Sequence, residues 1–163
     1  MHKFAAVGFA IVAIVAGPLS AKDSLGVFSK WAAFRDASVP RCYAISEAEE
    51  TQRQSDFEPY ATIGTWPARR IRSQTHFRLS RALRQNSRVS LRVGRANFVL
   101  VPGKADAWAS DSAMDRAIVT AMRNAQTMTV SATDARGRRF SDRYQLVGAA
   151  SAIDAATLAC MRR

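Results

Sequence analysis

The sequence predicts a mainly β protein: an antiparallel β-sandwich or barrel-like domain of about eight strands, with two helices in its C-terminal half. Three observations predict it. Apolar and polar residues alternate with period two in several short runs, most clearly Arg88 to Val93, where Val89, Leu91 and Val93 face one way and Arg88, Ser90 and Arg92 the other. Turn-forming residues separate the runs at short intervals. Helix signals come late: helical spacing of apolar residues over Asp111 to Arg123, and capping-box spacing at the start of Ser151 to Met161.

The chain opens on an address rather than on structure. Lys3 precedes an uncharged apolar run of 13 residues, Phe4 to Ala16, and Gly17-Pro18 ends it. That is the pattern of a secretory signal peptide, with cleavage expected between Ala21 and Lys22. An uncleaved anchor is the competing reading, but a bilayer needs about 20 apolar residues. The mature chain would be a single domain, Lys22 to Arg163, of 142 residues and net charge +10.

Val27 to Arg35, carrying Phe28, Trp31 and Phe34, reads as a strand, and Val39-Pro40 leads from it into a second over Arg41 to Ser46. Glu47 to Glu58 is acidic and polar, hence a loop. Tyr60 to Trp66 and Thr75 to Leu83 alternate as strands, with Pro67 ending the first and Gln85-Asn86-Ser87 turning the chain after the second. Gly94-Arg95 joins Arg88–Val93 to Ala96–Val101, whose Phe98-Val99-Leu100-Val101 run suggests burial on both faces; Pro102-Gly103 turns again. In the helix Asp111 to Arg123, Met114, Ile118 and Met122 form one stripe. Ser112 and Asp115 stand in capping-box spacing, and Asn124 suits a left-handed C-terminal residue. Gln126 to Thr133 and Arg139 to Val147 form a hairpin about Asp134 to Gly137, and Ser151 with Asp154 repeats the box spacing before the last helix.

Composition excludes several classes. The 163 residues are 48% hydrophobic, too apolar for a charge-rich disordered chain, and proline and glycine total 13, too few for collagen-like repeats. Two cysteines, Cys42 and Cys160, in an exported chain are most simply a disulfide. The alternative is a pair of buried or reactive thiols. The bridge would close a loop of about 119 residues, worth about 4–5 kcal/mol in the chain-entropy picture.

Catalytic and cofactor motifs are missing. The mature chain holds one histidine, His76, so neither a histidine-based zinc site nor a Ser-His-Asp arrangement has its usual members. There is no G-x-S-x-G elbow and no glycine-rich phosphate loop. Asp111, Asp115 and Asp154 fall at helix starts, where they favour the dipole, and Asp134 and Asp142 flank a turn. The expectation is therefore no catalytic residue, no metal and no cofactor.

One anomaly remains. Between Pro59 and Ala105 there is no Asp or Glu, while Arg69, Arg70, Arg72, Arg78, Arg81, Arg84, Arg88, Arg92, Arg95 and Lys104 all fall there. The strand pattern turns Arg78, Arg88 and Arg92 outward, and pairing of neighbouring strands would gather the arginines into a basic face. A guanidinium fork suits phosphate and carboxylate. A solvated face, some of it paired with Glu47 to Glu58, is the plainest reading. The functional one is an anion-binding face of Arg69, Arg70, Arg72, Arg78, Arg84, Arg88, Arg92 and Arg95, taking lipid phosphate or an acidic polysaccharide of the envelope. Nucleic acid is disfavoured by the export signal.

Trp31 followed by Cys42-Tyr43, Ala107-Trp108 before the first helix, Asp134-Ala-Arg-Gly137, Asp142-Arg-Tyr144-Gln-Leu146-Val-Gly148, and an alanine-rich helix ending at Cys160 occur in this order over Phe28 to Cys160. In these features the chain resembles the invasion-associated locus B family of exported proteobacterial proteins. It departs from the family pattern in having a single cysteine pair and in Ala149, where an aromatic commonly follows the glycine, which fits a divergent branch. The resemblance implies an extracytoplasmic, mostly β protein, periplasmic or secreted, of a family with no established enzymatic activity. It supplies no binding residues. The expected function is a non-catalytic envelope or secreted protein that binds an anionic envelope or host component, or a protein partner, through its arginines. The alternatives are a periplasmic enzyme whose site the sequence does not reveal, or an envelope assembly subunit.

Overall fold

The computed structural model describes residues 22–50 and 55–161. The expected signal peptide lies outside the described residues, as does part of the acidic loop. Ten strands and two helices follow in the order β1 (Asp23–Phe28), β2 (Trp31–Asp36), β3 (Arg41–Glu47), β4 (Tyr60–Trp66), β5 (Ile71–Arg78), β6 (Val89–Val93), β7 (Ala96–Pro102), β8 (Asp106–Trp108), α1 (Ser112–Arg123), β9 (Thr127–Thr133), β10 (Arg139–Gln145) and α2 (Ala149–Met161). The mainly β class, the antiparallel pairing and the two late helices are as the sequence predicts.

Two strands more than expected are present, for identifiable reasons. The stretch read as one strand, Val27 to Arg35, is the β1–β2 hairpin; Phe28 pairs with Trp31, and Ser29 takes the left-handed turn conformation (φ 57°) without a Gly or Asn to announce it. The second extra strand, β8, is only three residues long, and it pairs with β5 on one side and β7 on the other.

The strands form one antiparallel sheet in the order β1-β2-β3-β4-β5-β8-β7-β6-β9-β10. It curls until its last strand meets its first half: Trp31 Nε1 donates to the Gln145 carbonyl (2.9 Å), and Glu49 N to the Arg143 carbonyl (2.7 Å). Alternate residues therefore share one concave interior, with Trp31, Ala33, Ala44, Ile63 and Phe77 from the first half and Leu91, Val130, Phe140 and Tyr144 from the second. Both helices fill this concave side. α1 buries Ile118 and Met122 of its predicted stripe, with Met114 half-buried beside them. α2 lays Ala149, Ala152, Ile153 and Ala156 on the first strands, where small residues on both sides allow close approach. Cys42 of β3 and Cys160 of α2 are joined by a disulfide, with Cα atoms 5.8 Å apart.

Local details correct four expectations. The N-cap of α1 is Asp111, whose carboxylate accepts from the amides of Ala113 and Met114 (2.8 and 2.9 Å); Ser112 is the first helical residue. Asn124 ends the helix at φ −114°, outside the left-handed region, and its side-chain amide donates to the Thr120 carbonyl. Gly148 opens α2 at φ +87°, leaving Ser151 inside the helix; a Cβ on Gly148 would lie 1.7 Å from the Phe28 carbonyl oxygen, so only glycine fits that junction. The Phe98–Val101 run is not buried on both faces: Leu100 is buried, but Val99 and Val101 are 45% and 46% exposed, because they point to the convex side.

Candidate functional site

Seven of the eight arginines singled out by the sequence occupy three regions of the fold. Arg69 and Arg70 lie in the short 3-10 turn after β4 and its exit, and Arg72 near the start of β5, all exposed. Arg92 and Arg95 mark the exposed β6–β7 hairpin, where Arg92 Nε donates to Asn97 Oδ1 (3.3 Å). Arg84 and Arg88 flank the Gln85–Ser87 turn before β6, where Asn86 takes φ 60°. Arg78 differs from all of these. The inserted strand β8 sets Asp106 opposite it, and Arg78 Nη1 donates to Asp106 Oδ2 at 2.8 Å. The acid-free stretch of sequence thus receives a counter-charge from just beyond its end. Arg78 also covers the Phe57 ring, 4.2 Å from its centroid.

The convex side of β6, β7, β9 and β10 is the most uniform surface. Register places Val99 against Ser90, Ser90 against Ser131 and Ser131 against Ser141 in one row. Asn97, Arg92, Thr129 and Arg143 form the next. Thr133 pairs with Arg139 at the end, and Arg88 immediately precedes Val89, whose partner Leu100 adjoins Val101. The outward residues of these four strands are arginines, hydroxyls, amides and valines, with no carboxylate among them. Among the described residues, Glu49 from the loop after β3 reaches this face: it pairs with Arg143, whose Nε is 3.4 Å from Oε2, and accepts from the Gln145 side-chain amide.

Within this face a shallow concavity of ≈ 650 Å³ brings together Arg84, Arg88 and Arg139 around Ser87, Ser131 and Thr133. None of the three arginines makes an ion pair among the described residues. Arg139 falls outside the acid-free stretch and lies 51 residues from Arg88 in the chain. Its partnership depends on β9 inserting between β6 and β10, a matter of sheet order.

A buried anchor holds the concavity in shape. Asp134 sits at the start of the β9–β10 turn and accepts from Arg81 Nη1 (2.9 Å), Arg138 Nε (3.2 Å) and the amides of Arg136 and Arg138 (3.0 and 2.8 Å). These bonds, led by the Arg138 amide, hold its carboxyl down to about 2. The segment before β6 is fastened to the same strand: Arg84 N donates to the Thr133 carbonyl (3.1 Å), Ala135 N to the Ala82 carbonyl (2.9 Å), and Thr133 N to Ser87 Oγ (3.1 Å). The rim of the concavity is therefore set by backbone bonds rather than by its own long side chains.

His76 lies elsewhere on the convex side. Its Nε2 is 2.9 Å from Asp106 Oδ1, and its ring stacks on Trp108 with centroids 5.3 Å apart. Since Arg78 takes the other oxygen of Asp106, the cluster fastens β5 to β8. Among the described residues no hydroxyl is hydrogen-bonded to His76, and no three His, Cys, Asp or Glu side chains gather as metal ligands.

Two carboxylates are structural and inward. Asp115 Oδ1 accepts from both the amide and the hydroxyl of Thr75 (2.8 Å each), joining α1 to β5, and burial pushes its carboxyl up. Asp142, expected beside a turn, lies inside β10, where its Oδ2 accepts from Ser80 N (2.9 Å); burial raises it too.

A family model described as "Invasion associated locus B (IalB) protein" matches residues 34–157. Among solved structures, the crystal structure of invasion associated protein B from Bartonella henselae matches with a TM-score of 0.56 and 14% identity, covering 88% of this chain and 100% of that one. At that identity the likeness shows the fold. No curated protein matches the chain.

Proposed function

Because the chain belongs to the invasion associated locus B (IalB) family, as its own motifs suggested, we propose that it works as an exported, non-catalytic binding protein whose ligand is anionic. The reading rests on one observation: the outward positions of β6, β7, β9 and β10 carry arginines and hydroxyls but no carboxylate. Ten net positive charges on the mature chain would attract any polyanion; on this face Arg84, Arg88 and Arg139 make no ion pair among the described residues, which leaves their guanidinium forks open to an external anion. The non-catalytic reading is supported by His76, whose ring nitrogen is committed to an aspartate that an arginine also holds. In the described residues no helix is long and apolar enough to cross a membrane. Export to the periplasm or beyond rests on the N-terminal sequence.

The test is binding of the mature protein to anionic vesicles, lipopolysaccharide, heparin and DNA across a salt series. The comparison is R88Q/R92Q/R139Q, which leaves the Arg78–Asp106 pair intact. Binding that weakens with salt and is lost in the variant supports the reading. Absence of binding to every polyanion at low salt overturns it.

A further inference from the structure

Building on that reading of the same face, we propose that the anion is the phosphate of a lipid headgroup, and that the convex side of β6, β7, β9 and β10 rests on a membrane surface. The concavity supplies the headgroup site. Arg84, Arg88 and Arg139 line it without carboxylate partners among the described residues. Ser87 Oγ accepts from Thr133 N, which leaves its hydroxyl proton free to donate. Guanidinium groups with hydroxyl donors between them match the tetrahedral oxygens of a phosphate.

A second observation separates lipid from other polyanions. Val99 and Val101 are about half exposed on this same convex side. Val99 is the cross-strand partner of Ser90, which itself borders the concavity. An apolar ridge therefore runs one strand away from a cationic cleft. A sulfated or carboxylated polysaccharide gives the ridge nothing to bury against. An anionic bilayer suits both parts, since arginines meet phosphates at the headgroup level while short apolar side chains enter the interface. Asn97, Thr129, Ser131 and Ser141 around them add neutral hydrogen-bonding groups and no repulsive charge.

Three variants of the mature protein decide the matter on phosphatidylcholine vesicles with and without phosphatidylglycerol, beside heparin and free glycerol phosphate. The expected result is binding to phosphatidylglycerol vesicles, with loss of about a hundredfold in R84Q/R88Q/R139Q. V99S/V101S should lose about fivefold on vesicles and nothing on heparin. R69Q/R70Q/R72Q removes the same charge elsewhere and should bind vesicles nearly as the parent does. Equal loss in both arginine triples overturns the site. Heparin preferred over vesicles, with V99S/V101S unchanged, overturns the lipid and leaves the anion-binding reading standing. Failure of vesicles, heparin and glycerol phosphate alike removes both. Circular dichroism and thermal melting confirm that each exposed-residue variant is folded.

Discussion

Arg81 and Asp134 form a buried ion pair, with Nη1 2.9 Å from Oδ2, between the segment that precedes β6 and the turn that joins β9 to β10. The aspartate serves Arg138 and two backbone amides as well, so one carboxylate organises both rims of the arginine concavity.

Asp134 should therefore shape the acid limb of stability. Its carboxyl is lowered from an ordinary 3.8 to about 2 in the fold. A depressed acid contributes stability that is present above the unfolded value and is lost as pH falls through the folded one. Melting temperature followed from pH 5 to pH 2 should drop in the parent and drop less steeply in D134N. Parallel curves for the two proteins would show that Asp134 is not the group that titrates.

Asp115 should act with the opposite sign. Desolvation raises its carboxyl, so the contribution is fully present below the unfolded value and is lost as pH rises through the folded one. The D115N protein keeps an acceptor for Thr75 and has no charge to desolvate. Its stability relative to the parent should rise between pH 4 and pH 7. A difference that is constant over that range would contradict the assignment.

Tyr144 offers a different test of the interior. Its hydroxyl is buried without a hydrogen-bond partner among the described residues, and burial, helped by the nearby Asp142 charge, holds the phenol well above its ordinary range. An unsatisfied buried hydroxyl costs about 1–3 kcal/mol. Y144F should leave the fold unchanged and stabilise it by about 1 kcal/mol in urea denaturation. Destabilisation of that size would mean that the phenol has a partner.

Much of this fold could be read from residue patterns, and what could not be read shares a cause. Val89, Leu91 and Val93 point inward as their alternation implies, and Ile118 and Met122 form the buried stripe of α1. Ser29 and Lys30 turn the chain without a Gly or Asn, which hid the β1–β2 hairpin. Asp111 and Ser112 are both competent N-caps, so sequence could place the helix start only to within one residue. The arginine site depends on sheet order. Asp106 meets Arg78 because β8 inserts beside β5, and Arg139 joins Arg84 and Arg88 because β9 lies between β6 and β10. No local pattern encodes either adjacency. Val99 and Val101 misled for the related reason that an apolar run reads as doubly buried, whereas among the described residues the outside of β7 is left open.

The Cys42–Cys160 link should contribute about 4–5 kcal/mol through the loop it closes. C42A/C160A should unfold at correspondingly lower denaturant, and reduction of the parent should match it. An unchanged midpoint on reduction would mean that the loop is already restrained in the unfolded chain.

The same link bears on timing. Its sulfurs are 118 residues apart, and α2, which carries one of them, is what covers the inner faces of β1, β2 and β3. Until that helix arrives, Trp31, Ala33 and Ala44 have no roof. The first strands emerge early but cannot finish as an independent unit, so a chain crossing a membrane from its N-terminus would remain loose until nearly all of it had passed. Oxidation then records completion: the bridged form, faster on a non-reducing gel, marks the molecules whose last helix has docked.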